Sequence, residues 1–390
     1  MKVNYSKGIS IIGGAGHVGF PLGIVLASKG FTVNLVDKNE FSLIQILKGN
    51  PPFMELGAKK LLAKVIKKKK ILVNQKISSI NKSKYIIICI GTPIDKSLKP
   101  KLNEFLNFFK LLKKFLKSDQ IVIIRSSIYP GTFNKVKEIL KGKNNNIFYC
   151  PERIVQGKSL VELPKLPQIV SGINNKSINL VKNIFKKISS KIIFTDVKEA
   201  ELIKLFSNAN RYINFAIANQ FFLICEENKI DYSRVRKIMK DGYERNTNLA
   251  KAGFTAGPCL LKDTMQLSSF YKKNFNIGYE AMNINESIPN YIIKELKKIK
   301  NIKKKFIGIL GVSFKAETDD IRDSLSITLL NKLKKMKFKL SFSDEYYKHR
   351  DNLTKKKLIS QSDVIIIGAP HKAYEKLRLP KNKTLINVWK

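Results

Sequence analysis

The sequence predicts a mixed α/β chain with two doubly wound parallel-sheet domains joined by a central domain built on one long helix. Three observations carry this. Short apolar runs alternate with helical patterns through the first half, as βαβ units and a parallel sheet require. One uninterrupted helical pattern then runs from 198 to about 228. Near residue 305 the alternation of strand and helix begins again.

Residues 8–30 read as strand, tight glycine turn and helix, and 31–37 as the next strand. A helical stretch follows, then a buried strand over 85–91, a helix over 103–117 and a strand opening at Ile121. Glu152 stands at the end of a further strand, and the first domain continues through 192–194, giving 1–196. Along the long helix Leu202, Phe206, Ala209, Ile213, Ala216 and Ile217 recur at helical spacing. Its length suits a connector and its small and apolar residues a dimer interface, while a core helix of one subunit fits the pattern equally. The central helical domain takes 197–300. Strands over 306–311, 363–368 and 384–388 then make a smaller α/β domain of 301–390.

A chain of 390 residues with 44% hydrophobic content is long and apolar enough for several cores. No apolar run is long enough to cross a bilayer, and the N-terminus has no signal-peptide pattern. The four cysteines, Cys89, Cys150, Cys225 and Cys259, are scattered and form no CxxC pair. Neither a disulfide framework nor a metal site is indicated, and a reducing cytoplasm fits. Lys and Arg number 73 against 30 acidic residues, a net charge of +43. The lysines are dispersed along the chain, and Asn, Ile and Phe, which share A/T-rich codons with Lys, are abundant too. Codon bias therefore explains the charge better than a nucleic-acid interface. The basic surface still attracts a polyanionic small molecule.

Gly14, Gly16 and Gly19, with His17 and Val18 between the last two, form a GxGxxG run after an apolar strand and before a helix. The first glycine permits the turn, the second lets the backbone approach a pyrophosphate, and the third packs helix on strand. This is the Rossmann pattern. Asp37 ends the next strand, where an acid accepts from ribose hydroxyls and repels a 2′-phosphate, so NAD is favoured over NADP. Elsewhere the single residues are ambiguous. Lys204 and Asn208 share a helix face, an arrangement usual on solvated surfaces, and a lone cysteine is commonly packing. Cys259 differs because glycines at 253 and 257 precede it and Lys262 and Asp263 follow.

Several ordered motifs resemble the UDP-glucose/GDP-mannose dehydrogenase family over essentially the whole chain. They are the 14–19 fingerprint, Gly91-Thr92-Pro93, the Arg125–Thr132 segment, Pro151-Glu152-Arg153, the 201–208 segment, the 253–263 segment and the Phe314–Arg322 segment. The resemblance implies an NAD domain, a helical dimerising middle and a domain that binds a UDP-sugar. It implies oxidation of the sugar C6 alcohol to a carboxylate with two NAD. Cys259 would hold the aldehyde as a thiohemiacetal and then as a thioester. Lys204 and Asn208 would stabilise the oxyanion, Asp263 would order water and protons, and Glu152 would assist hydrolysis. Thr92 and Ser127 would contact NAD, and Lys262 and Arg322 would reach its phosphates across the domain cleft. Glu152, Arg153, Lys204, Asn208, Arg245, Phe254, Gly257, Phe314 and Lys315 would contact the substrate, Arg245 from its own or the partner subunit.

Three departures stand beside this. Ser127 replaces the usual Thr but keeps a hydroxyl, Gln156 replaces a frequent acid, and the chain ends at Lys390 without the tail of longer members. Arg153 after Glu152 leans toward a UDP-N-acetylhexosamine, with UDP-glucose as the alternative sugar. A two-electron dehydrogenase would leave the Cys259 motif idle. A basic nucleic-acid-binding protein would need neither that motif nor Lys204, Asn208 and Asp263. The expected partners are therefore a UDP-sugar and a second copy of the chain, with no specific nucleic acid, membrane or metal.

Overall fold

The computed structural model describes residues 5–389 apart from 96, 173, 174, 256 and 273. Ala256, inside the cysteine motif, and Lys390 thus lie outside the described residues. The chain divides into two compact units, Met1–Phe206 and Ser207–Lys390.

The first unit holds an eight-stranded sheet of β1 (Gly8–Ile12), β2 (Thr32–Val36), β3 (Ile71–Asn74), β4 (Tyr85–Ile88), β5 (Ile121–Ile124), β6 (Ile147–Tyr149), β7 (Gln168–Gly172) and β8 (Ile192–Phe194). The spatial order is β3-β2-β1-β4-β5-β6-β7-β8. Neighbours pair parallel except β6 with β7. The link from β6 to β7 carries only the short helix Ser159–Glu162, in place of a full crossover helix, and the strand returns antiparallel.

Side chains of the central strands alternate between two cores. Ile87, Ile121 and Ile123 join Ile9 and Ile11 on one face, while Ile86, Ile88, Val122 and Ile124 join Ile12 on the other. A period of two that divides each strand between two cores is what a doubly wound sheet needs. The order of strands reverses between β1 and β4. Ligands bind such sheets in the crevice that this reversal leaves at the carboxyl ends of the strands.

The long helix spans Val197–Glu227. Ala209, Tyr212, Ala216, Asn219, Phe222 and Cys225 are buried at intervals of three and four, the stripe of a helix packed on one side. Helices Tyr232–Lys240, Leu260–Phe270 and Asn276–Lys298 follow. A parallel sheet of β9 (Phe306–Leu310), β10 (Lys339–Ser343), β11 (Val364–Ile367) and β12 (Thr384–Asn387) completes the second unit in the order β10-β9-β11-β12. Ile307, Ile309, Val364 and Ile366 share a core with Phe222, Ile288, Ile292 and Leu296 of the helices. Leu310, Ile365 and Ile367 face a second core.

Candidate active site

The glycine turn stands where β1 meets the helix Gly19–Ser28. Its left-handed residue is Gly13, with φ +80°, one position before the fingerprint. A Cβ there would come 2.5 Å from the Cys89 carbonyl oxygen, so the turn belongs to Gly13 and not to Gly14. Gly14 lies against Leu35, and a Cβ on Gly19 would meet the Gly13 oxygen at 2.2 Å. Helix and strand therefore pack backbone to backbone, as the third fingerprint glycine allows. A Cβ on Gly16 would meet the Gly13 oxygen at 3.3 Å and otherwise point into open space.

Asp37 follows β2, is half-buried, and accepts from the Ala15 amide at 3.0 Å and the Asn39 amide at 3.0 Å. It thus borders the glycine turn from the next strand. These features fit NAD: a turn stripped of side chains, the N-terminus of a helix and an acid beside it. His17 packs its ring 3.9 Å from that of Phe53 and meets Gln156 Nε2 at 3.4 Å. Gln156 therefore borders the fingerprint with an amide where an acid is frequent. Thr92 Oγ1 donates to the Ser127 carbonyl, which ties together the loops after β4 and β5.

Glu152 is buried after β6 and pairs with Arg125 Nη2. Its other oxygen accepts from the amides of Arg153 and Ile154 at 2.7 and 3.2 Å. Arg125 also donates to Gln168 Oε1 at 3.1 Å and lies over the Phe185 ring. Arg153 turns to the Pro167 carbonyl at 2.7 Å. Burial pushes the thiols of Cys89 and Cys150 up to about 12, which removes both as nucleophiles.

Glu201 explains two of the sequence motifs at once. Its carboxylate accepts from the amides of Gly131 and Phe133 at 2.7 and 3.0 Å, capping the helix Thr132–Leu140. Burial pushes this carboxyl up, against the lowering effect of the two amides. Lys204 follows one turn later, half-buried, and Asn208 one turn after that.

In the second unit Asn208 Nδ2 donates to Asp263 Oδ2 at 2.6 Å, and Lys262 Nζ lies 2.5 Å from Asp263 Oδ1. Asp263 is fully buried, so both of its oxygens are satisfied by protein. Its backbone amide donates to the Cys259 carbonyl at 3.0 Å. Cys259 itself is exposed and stands at the N-cap position of the helix Leu260–Phe270, without a capping bond from its side chain, at the end of a helix that favours negative charge. Arg322 grips Asp320 with Nε and Nη2. That hydrogen bond, with smaller charge effects from Asp320, Cys259 and Asp323, raises the guanidinium above its usual value despite partial burial. Arg322 thus lies within electrostatic reach of Cys259.

Two aromatics shape the loop before Cys259. A Cβ on Gly253, at φ +146°, would sit 2.3 Å from Trp389, and one on Gly257, at φ +110°, would sit 2.6 Å from Phe314. Phe254 is buried between them in sequence and meets Trp389 edge-on. Lys315 folds back over the Phe314 ring at 5.6 Å. Arg245 is exposed and reaches Tyr243 Oη at 3.3 Å. Among the described residues no group of His, Cys, Asp and Glu could hold a metal ion.

Sequence reasoning missed Gly13, Arg125, Gln168 and Trp389 as site-shaping residues. Arg125 did leave a signal, since it is a cation that closes an apolar strand (Ile-Val-Ile-Ile-Arg). A packing role for Trp389 has no local signature.

A glycine-turned doubly wound sheet and an exposed thiol at a helix N-terminus define a dinucleotide-dependent oxidoreductase. The chain belongs to the UDP-glucose/GDP-mannose dehydrogenase family: residues 7–189 match its NAD-binding domain, 198–287 its central domain and 308–389 its UDP-binding domain. It is an NAD-dependent nucleotide-sugar dehydrogenase. The chain is 30% identical to a UDP-N-acetyl-D-mannosamine dehydrogenase of Methanocaldococcus jannaschii, over 96% of this chain and 88% of that protein. Its fold matches that of UDP-D-ManNAc dehydrogenase from Pyrococcus horikoshii with a TM-score of 0.89 at 24% identity, covering 98% and 95% of the two chains. A UDP-glucose dehydrogenase of Pyrobaculum islandicum matches with the same TM-score, 0.89, at 20% identity, covering 98% and 94%. No described helix is long and apolar enough to cross a membrane.

Proposed function

We propose that this chain oxidises the C6 hydroxyl of a UDP-N-acetylhexosamine to a carboxylate in two NAD-dependent steps, holding the sugar on Cys259 between them. The observation that carries the reading is the exposed Cys259 thiol at a helix N-terminus, one turn from a buried Asp263 that binds Asn208 and Lys262. The C6 hydride first passes to NAD and the hydroxyl proton is lost, which gives an aldehyde. Cys259 Sγ adds to the aldehyde carbon to form a thiohemiacetal. Loss of a second hydride to a second NAD, with a proton, leaves a thioester. Water then attacks the carbonyl carbon, the C–S bond breaks, and the carboxylate and the free thiol result.

Lys204 and Asn208 stabilise the oxyanion in this scheme. Asp263 fixes the Asn208 amide and orders water and protons, and Glu152 directs the hydrolytic water. The turn of Gly14, Gly16, His17, Val18 and Gly19 holds the dinucleotide, with Asp37 at the ribose and Thr92, Ser127, Lys262 and Arg322 as further contacts. Arg153, Arg245, Phe254, Gly257, Phe314 and Lys315 line the nucleotide sugar. The reading extends to three domains (1–196, 197–300, 301–390), a cytoplasmic homodimer and a uronate used for polysaccharide. Ile217, Phe221 and Ile224, exposed along the long helix, support the homodimer.

The name of the 30% identical relative and the position of Arg153 support an N-acetylhexosamine. UDP-glucose is the second reading, since the family whose model the chain matches takes in glucose enzymes too. NADH production across a panel of UDP- and GDP-sugars separates the two. Cys259→Ser should bind NAD and sugar nearly normally yet lose uronate formation. Lys204→Ala should lose on the order of 10²-fold in rate through the missing oxyanion contact. Uronate made by Cys259→Ser at near wild-type rate would overturn the covalent reading.

A further inference from the structure

Arg125 is a fully buried guanidinium at the carboxyl edge of the first sheet. It follows β5, flanked in register by Cys89 after β4 and Cys150 after β6, since Ile88, Ile124 and Tyr149 pair with one another across the three strands. Among the described residues it spends its hydrogen bonds on two partners, Glu152 and Gln168, and its Nε and Nη1 atoms are buried with none. A buried guanidinium satisfied on one side only is a poor device for stability alone. What it does achieve is geometric. Glu152 Oε1 takes the amides of Arg153 and Ile154, and Oε2 takes Arg125. Three donors on two oxygens fix the plane of the carboxylate and leave one lone pair of Oε2 open. Gln168, on β7, holds the guanidinium in turn.

We propose that Arg125 is a positioning residue that aims the free Oε2 lone pair of Glu152 at the water that hydrolyses the Cys259 thioester. The inference rests on the role given to Glu152 above. In that step water loses a proton toward Glu152 as its oxygen bonds the carbonyl carbon, and the C–S electron pair returns to Cys259. Both contacts run from Nη2, whose two hydrogens are fixed in the guanidinium plane; a lysine at 125 keeps the positive charge, but its freely rotating ammonium does not hold those two directions. Misaiming of this kind costs about 10- to 100-fold in the step affected.

The test uses whichever of UDP-N-acetyl-D-mannosamine, UDP-N-acetyl-D-glucosamine and UDP-glucose the wild type oxidises fastest. Arg125→Lys mixed with that sugar and NAD should release about two NADH per site at near wild-type rate, then turn over 10- to 100-fold more slowly. Intact mass should show the acyl adduct on Cys259, KM for the sugar should change little, and the rate of the slow phase should depend on pH differently from wild type. Placed on Glu152→Gln, Arg125→Lys should slow turnover by less than about twofold, because the two changes act on one group. Gln168→Leu, which leaves the ion pair in place, should give a weaker form of the same pattern if Arg125→Lys does not fold. Equal slowing of both hydride transfers and hydrolysis, with no adduct, would overturn the positioning role alone if Glu152→Gln still traps the adduct. Should Glu152→Gln itself turn over normally, or the wild type oxidise none of the three sugars, the reading of Glu152 falls and the inference with it.

Discussion

Asp37 and Asp344 hold the same place in two different sheets. In the first, Gly13 at φ +80° follows β1; in the second, Gly311 at φ +85° follows β9. An added Cβ would meet the chain just past the neighbouring parallel strand in both, 2.5 Å from the Cys89 oxygen or 2.6 Å from the Ala369 nitrogen. Each sheet then places an aspartate just after its second strand, where it accepts from the turn: Ala15 N at 3.0 Å and Val312 N at 2.7 Å. From there they part. Asp37 is half exposed, and among the described residues its carboxylate's other hydrogen bond comes from the Asn39 amide. Asp344 is buried and also accepts from Ser313 N and Oγ, the amides of Tyr346 and Tyr347, and His371 Nε2. Topology delivers an acid to both turns. The neighbours decide whether it stays half exposed beside the turn or is enclosed in the fold.

The largest effect should come from removing the consumed acid. Asp344→Ala strands the donors of Val312, Ser313 and His371 in a dry site and should cost about 3–5 kcal/mol of unfolding free energy. Burial pushes the Asp344 carboxyl up, but the His371 hydrogen bond, the two tyrosine amides and the His371 charge together hold it well below the usual carboxylate range. A depressed folded value means that its contribution is present above the unfolded pKa, near 3.8, and is lost as pH falls below it. Urea unfolding of wild type and variant at pH 7 and pH 3 checks this: the gap between them should narrow at low pH. A gap that widens on acidification would break the contrast with Asp37.

A third acid sharpens it. Glu286 is held by Tyr212 Oη at 3.3 Å, and burial, against the Tyr212 hydrogen bond, pushes its carboxyl from 4.5 to about 6. Its folded value is raised, so the stability it gives is full below about pH 4.5 and lost as pH rises through about 6. Glu286→Gln keeps an acceptor for Tyr212 without the charge. It should therefore stabilise the protein at pH 7.5 by on the order of 1–2 kcal/mol and change nothing at pH 4.5. Thermal unfolding across that range reads it, and a variant less stable at pH 7.5 would show that the charge is needed.

The contrast also marks what the sequence could reveal. Strands with unbroken apolar runs, such as β4 and β11, and the long helix were legible because burial on both faces, or a sustained helical stripe, writes itself into local pattern. β10 was not: Lys339, Ser341 and Ser343 alternate with Leu340 and Phe342 over five residues only, straight after a lysine-rich helix, and its identity depends on the pairing with β9. In the site, Gly14, Gly16, Gly19, Asp37 and Cys259 belong to motifs whose chemistry is local. Arg125 and Asp344 depend on partners 27 residues away, Glu152 and His371. No window of sequence contains such a pair.

Asp37→Ala should have the smallest energetic effect and the most specific one. The change removes two hydrogen bonds at a half-exposed position, Ala15 N and Asn39 N, worth about 1 kcal/mol of stability between them. On the ribose role proposed for Asp37, its weight falls instead on the cofactor. With no carboxylate to accept from the ribose hydroxyls, KM for NAD should rise about tenfold, roughly 1.4 kcal/mol. With none to repel a 2′-phosphate, the preference of kcat/KM for NAD over NADP should shrink by at least as much. Steady-state kinetics with both cofactors, run beside urea unfolding of the same preparation, reads both quantities. If Asp37→Ala loses as much stability as Asp344→Ala and leaves KM for NAD unchanged, the two acids do the same work and the comparison fails.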